Sequence, residues 1–337
     1  MVRFGILGFG LHAVKRLMPG FELAKNAKVT ALSRRDSERA KQSAREFGIP
    51  LAFTSAEDLC RCRDVDAIFV ASPNSFHLPH VLTALLMGKP VLVEKPMGLN
   101  ADECRQMVEA GRRTELPLGV AQVFRFEDSV QRIRERVTSG EIGRVVLARA
   151  EFSFWGRKHA RTWMNDPRIG GGGPIADVGV HCIDTLRFIL GDEVASVSAH
   201  SHSDNESGQV EAAGSLVLQF RSGTLASVMV STRAEYRTPL EIIGENGFLR
   251  AENGLSVDEP VMLQVWRGSE AVDAERVSNH LAYARQVDAF AAAVEGKSSF
   301  PVAGEEGWRN QLVLDAAYRS IRSGRRETIV FPKELAA

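Results

Sequence analysis

Residues 2–13 read Val2-Arg3-Phe4-Gly5-Ile6-Leu7-Gly8-Phe9-Gly10-Leu11-His12-Ala13. An apolar run, a glycine-rich turn and the start of an apolar-periodic segment (Leu11 to Met18) follow one another without a break. The turn fits the pattern G-x-G-x-x-G/A. Gly8 permits the tight turn, Gly10 lets backbone approach a pyrophosphate, and Ala13 lets the helix pack closely on the strand. Phosphates rest at the N-terminus of such a helix, where unpaired N–H groups and the helix dipole favour an anion. Alone the pattern is weak; between a strand and a helix it stands where a dinucleotide fingerprint needs it.

The same alternation continues outward from this stretch. Val29–Leu32 reads as the next strand, followed by a charged helix over about 36–47. Thr54-x-x-Glu57 has capping-box spacing and predicts a short helix. Asp66–Ala71 is a continuous apolar run, as a strand buried on both faces should be. A helix ending at Met87 and Gly88, a strand at Pro90–Val93, a helix capped by Asn100-x-x-Glu103 and a strand at Pro117–Val123 complete the set. Strand and helix repeated this way predict an α/β Rossmann domain over 1–120, a doubly wound parallel sheet with right-handed crossovers.

Beyond it the pattern changes. After a turn at Ser139–Gly143, Val145–Trp155 reads as a long strand. Further strands are predicted at Val194–His200, Ala213–Phe220, Thr224–Thr232, Leu240–Ile243 and Val261–Trp266, with a helix near 177–190. Ser222-Gly223 joins two of them as a hairpin. Helices at Leu281–Val294 and about Glu305–Ile321 and a last strand at Thr328–Phe331 end the chain. Residues 121–337 thus read as an α+β domain with a large, open, mostly antiparallel sheet, serving substrate binding and dimerisation. One face of such a sheet packs on helices, and a homodimer or higher homo-oligomer is expected to cover the other.

Composition narrows the function. The 42 basic and 42 acidic residues cancel, leaving no electrostatic footprint for nucleic acid or an anionic membrane. Cys60, Cys62, Cys104 and Cys182 contain no Cys-x-x-Cys pair, which disfavours zinc sites and disulfides. No apolar stretch approaches the length of a membrane span, and the chain is expected in the cytoplasm. His200-x-His202 lacks a carboxylate or thiol at suitable spacing, so no metal site is expected there.

Candidate chemistry gathers at strand ends. A fold specific for NAD(H) places Asp or Glu about twenty residues after the glycines, at the end of the second strand. Here Ser33-Arg34-Arg35 stands there, and guanidinium groups bind a 2′-phosphate that a carboxylate repels. NADP(H) is therefore expected over NAD(H), with Asp36 turning back to the ribose as the alternative. Ala71-Ser72-Pro73-Asn74-Ser75-Phe76-His77 and Glu94-Lys95-Pro96 follow the next two predicted strands, at the edge where open α/β sheets bind ligands. Past Gly170–Gly173 and Pro174 comes Asp177-x-Gly179-x-His181-x-x-Asp184, whose three ionisable groups are spaced to share one helix face.

Together these segments resemble the Gfo/Idh/MocA family of oxidoreductases, named for glucose–fructose oxidoreductase and inositol dehydrogenase. Glu94-Lys95-Pro96 and the run Gly171 to Asp184 are the most specific parts, supported by Trp163 before Asp166-Pro167 and by Gly140-Glu141-Ile142-Gly143. The resemblance implies that Lys95, Asp177 and His181 form the catalytic group, with a cis peptide before Pro96. Hydride exchange between nicotinamide and a carbinol carbon needs a group that takes the hydroxyl proton, a task for which imidazole is suited. Gly8, Phe9, Gly10, Leu11, His12, Ser33, Arg34, Arg35, Ala71, Ser72, Pro73, Asn74, His77, Glu94, Lys95, Gln122, Trp163 and Tyr283 are the candidate cofactor contacts. Lys95, Arg125, Arg161, Trp163, Asp177 and His181 are the candidate substrate contacts. Gln122 and Met164 stand where the family often carries Asn and Arg. The implied substrate is a sugar, a sugar derivative or a cyclic polyol, as in anhydrofructose reduction; dihydrodiol oxidation or reduction of another carbonyl compound on the same scaffold, and a non-catalytic NADP-sensing regulator, are the alternatives.

Overall fold

The computed structural model describes residues 1–156, 162–204 and 208–335. The chain divides into two units: residues 1–122 with 283–308, and residues 123–282 with 309–337. The expected domains, 1–120 and 121–337, run in a single line along the chain. In the structure the segment 283–308 returns to the first unit, because Phe290 of that segment packs its ring on Phe4 and Phe300.

In the first unit, β1 (Val2–Leu7), β2 (Ala27–Ser33), β3 (Leu51–Phe53), β4 (Ala67–Val70), β5 (Val91–Glu94) and β6 (Leu118–Ala121) form a six-stranded sheet. Its order is β3-β2-β1-β4-β5-β6 and every pairing is parallel. The central strands are buried throughout, as a sheet covered on both faces requires. The order reverses between β1 and β4, the switch point at which such sheets bind ligands. Helices fill the crossovers. Asn100 caps Ala101–Thr114 through its side chain, as the spacing predicts. The helix Ala56–Arg61 is capped by Ser55 rather than Thr54, because the Ser55 hydroxyl reaches the N–H of Asp58.

In the second unit the remaining strands build a ten-stranded sheet. They are β7 (Val145–Trp155), β8 (Val194–His202), β9 (Ala213–Phe220), β10 (Leu225–Ser231), β11 (Arg233–Arg237), β12 (Leu240–Gly244), β13 (Gly247–Ala251), β14 (Val261–Arg267), β15 (Glu270–Val277) and β16 (Glu327–Thr328). The path is β15-β14-β13-β12-β7-β10-β9-β8-β16, antiparallel except where β10 runs parallel to β7; β11 pairs with β7 off the path. Three of these strands escape the sequence pattern. β11 and β15 are mostly exposed and charged, and β13 opens on glycine, so none carries a clean alternation. One face of this sheet carries an apolar row set by register: Trp266, Phe248, Ile243, Leu147 and Leu225 are successive cross-strand neighbours on β14, β13, β12, β7 and β10. The outermost two rings stack at 5.7 Å, and Leu147 and Leu225 are exposed. No helix among the described residues is long and apolar enough to cross a membrane.

Candidate active site

The glycine turn does what its residue types predict. Gly8 adopts φ 83°, and a Cβ there would stand 2.5 Å from the Cα of Ser72. Gly10 has only the carbonyl of Gly8 within 4 Å of where its Cβ would lie, so the space in front of the turn is open to a ligand that approaches backbone. Phe9 instead buries its ring against Phe47 and gives its N–H to the Ser33 carbonyl; its side chain is core. Ser33 also accepts from the N–H of Gly8 through its hydroxyl. Leu11 is exposed.

At the end of β2, Arg34 donates through Nη1 to the hydroxyl of Ser43 at 2.8 Å, and Arg35 is exposed. Asp36 caps the next helix, accepting from the N–H of Arg39 at 2.9 Å. Its carboxylate is committed to the helix rather than turned back to the β1 turn.

The two strand-end loops are tied together by a histidine. His77 is fully buried, with Nδ1 3.0 Å from the Pro96 carbonyl and Nε2 2.9 Å from that of Ser72. The expectation that His77 touches a cofactor is corrected on this point: a ring enclosed between two carbonyls is a clamp. Ser72 turns its hydroxyl to His80 Nδ1 at 3.0 Å, Ala71 gives its N–H to Leu7, and Asn74 is buried beside Pro73. Glu94, at the end of β5, receives His12 Nε2 at 2.8 Å and the N–H of Lys95 at 3.3 Å. Burial opposes ionisation of Glu94, but the neighbouring His12, Lys95 and His77 outweigh it and hold the carboxyl below its usual range. The Lys95–Pro96 peptide is cis. The ring of Tyr283 meets that of His12 edge-on, with centroids 6.3 Å apart.

The second unit supplies the acidic helix. Asp177 lies in a wide helical turn, Ile175–Gly179, that leads into the α-helix Val180–Leu190 carrying His181. The His181 ring is buried against Phe124 at 4.5 Å and Phe152 at 6.3 Å. Asp184, expected on the same face, has a different task. It takes a two-point bond from Arg125, 2.8 Å from Nε and 2.7 Å from Nη2, and a third from Asn310. Both residues are buried, so the Arg125 guanidinium is used inside the unit rather than offered to substrate. Trp163 sits half-buried in the short turn Thr162–Asn165. Arg161 lies outside the described residues.

Glu211 is a positioning residue that no sequence pattern singled out. Its carboxylate accepts from the N–H groups of Gly173 and Ile175 and from the hydroxyl of Tyr318. It thereby holds the glycine loop and the start of the Asp177 helix. The glycines are explained by the same contacts: a Cβ on Gly172 would stand 1.8 Å from the Tyr318 hydroxyl, and one on Gly173 would stand 2.2 Å from the Glu211 carbonyl.

Comparison with known proteins agrees with this architecture. Residues 2–122 match the profile of an oxidoreductase family with an NAD-binding Rossmann fold, and residues 130–250 match the GFO/IDH/MocA C-terminal domain. The chain belongs to the Gfo/Idh/MocA family of oxidoreductases. Among its relatives is 1,5-anhydro-D-fructose reductase of Ensifer adhaerens, 31% identical over 91% of this chain and 92% of that protein. Another is D-xylose 1-dehydrogenase (NADP(+)) 2 of Haloferax volcanii, 31% identical over 95% of this chain and 98% of that protein. The fold matches that of aldose-aldose oxidoreductase from Caulobacter crescentus, with a TM-score of 0.87 at 23% identity over 97% of this chain and 99% of that one.

Membership makes the chain an NAD(P)-binding oxidoreductase, and the first unit fits such a dinucleotide on two counts. A Cβ would fill the open space before Gly10. The Gln122 amide, past the end of β6, is buried with neither its nitrogen nor its oxygen hydrogen-bonded among the described residues. An unsatisfied buried amide is costly and calls for a polar ligand or water.

Proposed function

We propose that this oxidoreductase moves a hydride between a nicotinamide dinucleotide and a carbinol or ketone carbon of a sugar, a sugar derivative or a cyclic polyol, using NADP(H) in preference to NAD(H). The observation that carries the reading is the set Lys95, Asp177 and His181: a lysine at a β5 strand end followed by cis-Pro96, and an acid–imidazole pair on one helical segment. The nicotinamide, when bound, supplies the hydride donor or acceptor. His181 takes the hydroxyl proton in oxidation and returns it in reduction. Asp177 orients the imidazole or stabilises its charged form, and Lys95 hydrogen-bonds the substrate oxygen as alkoxide charge develops. Gln122, with its unsatisfied amide, and the turn from Gly8 to His12 would hold the dinucleotide.

The preference for NADP(H) is supported by Asp36, whose carboxylate is spent on a helix cap, and by Arg34 and Arg35, which leave no acid at the end of β2 to receive a ribose hydroxyl. One relative is named for NADP(+) and for D-xylose, another for anhydrofructose, and both names favour sugar chemistry. A homodimer through the apolar row on the second sheet completes the proposal.

The experiment is a steady-state screen of NADP⁺ and NAD⁺ reduction on aldoses, polyols and dihydrodiols, with NADPH and NADH oxidation on ketosugars. Turnover of a sugar or polyol at higher kcat/KM with the phosphorylated cofactor is expected. Tight cofactor binding with no turnover of any compound would replace this reading with a cofactor-sensing regulator.

A further inference from the structure

Lys95 sits in a closed circuit of contacts that begins and ends in the glycine turn. On one side Gly8 presses against Ser72, where a Cβ would stand 2.5 Å from the Ser72 Cα. The Ser72 carbonyl lies 2.9 Å from His77 Nε2, and His77 Nδ1 lies 3.0 Å from the carbonyl of Pro96, the residue after Lys95. On the other side the Lys95 N–H donates to Glu94 Oε2 at 3.3 Å, and Glu94 Oε1 stands 2.8 Å from His12 Nε2. His12 directly precedes the helical turn Ala13–Leu17, so the circuit returns to the segment it left. Of these links only His12–Glu94 joins two side chains.

Both partners are held for this bond. Glu94 is buried, and burial opposes its ionisation; His12 is the first of the neighbours that outweigh burial and keep the carboxylate. A buried carboxylate stripped of its partner is costly, so it takes up a proton or turns to another donor. The His12 ring is backed edge-on by Tyr283, with centroids 6.3 Å apart, and Tyr283 is itself wedged against Gly20, where a Cβ would stand 2.5 Å from its own. We infer that His12 is a positioning residue: through Glu94 it fixes the main chain of Lys95 relative to the turn that receives the dinucleotide. This deepens the hydride-transfer reading, in which Lys95 meets the substrate oxygen, and rests on it. A residue that only touched the cofactor would set how tightly the dinucleotide binds. A residue that places Lys95 also sets how fast the bound complex reacts, because a small misplacement at the reacting centre slows the chemical step.

The test uses whichever of NADP⁺ and NAD⁺ the parent chain binds more tightly. Its dissociation constant is measured beside kcat at saturating dinucleotide and substrate, for His12→Ala, His12→Gln, Glu94→Ala and the double alanine variant. His12→Ala is expected to lower kcat roughly tenfold or more, over and above any change in cofactor affinity. His12→Gln keeps an N–H for the carboxylate and is expected to restore kcat to within about threefold of the parent. Because one bond is lost only once, the double variant is expected to match the slower single variant within about twofold. His12→Leu fills the space without a donor and serves if the alanine variant does not fold, with the same fall in kcat expected. An unchanged kcat in His12→Ala, a glutamine variant as slow as the alanine one, or single effects that multiply in the double variant overturns the inference. A chain that binds the dinucleotide but turns over no sugar, polyol or ketosugar overturns the hydride-transfer reading instead. The inference is then judged on cofactor affinity: the losses from His12→Ala and Lys95→Ala are expected to combine to less than their product, and independent losses overturn it.

Discussion

At the scale of single residues, chemistry was legible where a backbone requirement or a rare residue order marks it. Gly8 announces the turn because only glycine meets its φ and its clearance, and Gly10 leaves the space before the turn open. Lys95-Pro96 was recognised as a unit, and the cis peptide expected there by resemblance is present. His77 and Glu211 were misread or missed because their roles depend on which backbone groups the fold brings to them, the carbonyls of Ser72 and Pro96 for one and the N–H groups of Gly173 and Ile175 for the other, and no motif marks such a clamp. Arg35, exposed at the end of β2, carries a prediction of its own. Replacing it with alanine is expected to lower kcat/KM for NADPH by roughly tenfold or more, the worth of one charge-assisted hydrogen bond, and to leave NADH nearly unaffected. Steady-state kinetics with both cofactors checks this. His80 makes a second. Burial, aided by the nearby His77 ring, pushes His80 down to about 4 from 6.5, so the folded protein keeps this ring neutral. The unfolded chain takes up the proton first as pH falls. The stabilisation from His80 is therefore complete above pH 6.5 and is lost on the way down to about 4. Denaturant titrations of His80→Gln across this window are expected to show a flatter loss of stability than the parent chain shows.

Among the elements, the helical segment bearing Asp177 and His181 is fixed at two points. Glu211 holds its N-terminal turn, and Asp184 anchors its middle to Arg125 and Asn310. The periodicity of that segment was legible and placed Asp177, His181 and Asp184 near one another. It did not separate the anchoring carboxylate from the others, because helical spacing is silent about which neighbouring element supplies a counter-ion. Asp184→Asn leaves the Arg125 guanidinium buried without its full partner, a change that costs about 3–5 kcal/mol when a buried pair is broken. Chemical denaturation is expected to register a loss of that order, with the cofactor dissociation constant of the surviving folded fraction unchanged. Edge strands were the least legible elements: β11 and β15 mix charged residues such as Glu235, Arg237, Asp273 and Arg276 with exposed apolar ones, so neither shows a clean alternation, and the charges suit edges that resist unwanted pairing.

For the whole molecule, the parallel sheet and the large antiparallel one were legible from the change in pattern after residue 120. The return of residues 283–308 to the first unit was not, since a helix carries no mark of which core it joins. The apolar row from Trp266 to Leu225 follows from register, which emerges only once the strands are paired. If a second copy covers it, Leu147→Glu with Leu225→Lys is expected to convert a dimer to monomer in sedimentation analysis. An unchanged mass would remove this row from the interface. The central claim, that the chain transfers a hydride with His181 moving the proton, is tested most directly by His181→Ala. Turnover of the best sugar or polyol substrate is measured beside the cofactor dissociation constant. The account predicts a fall in kcat of roughly 10²-fold or more with cofactor binding retained. Turnover close to that of the unmodified enzyme would contradict it.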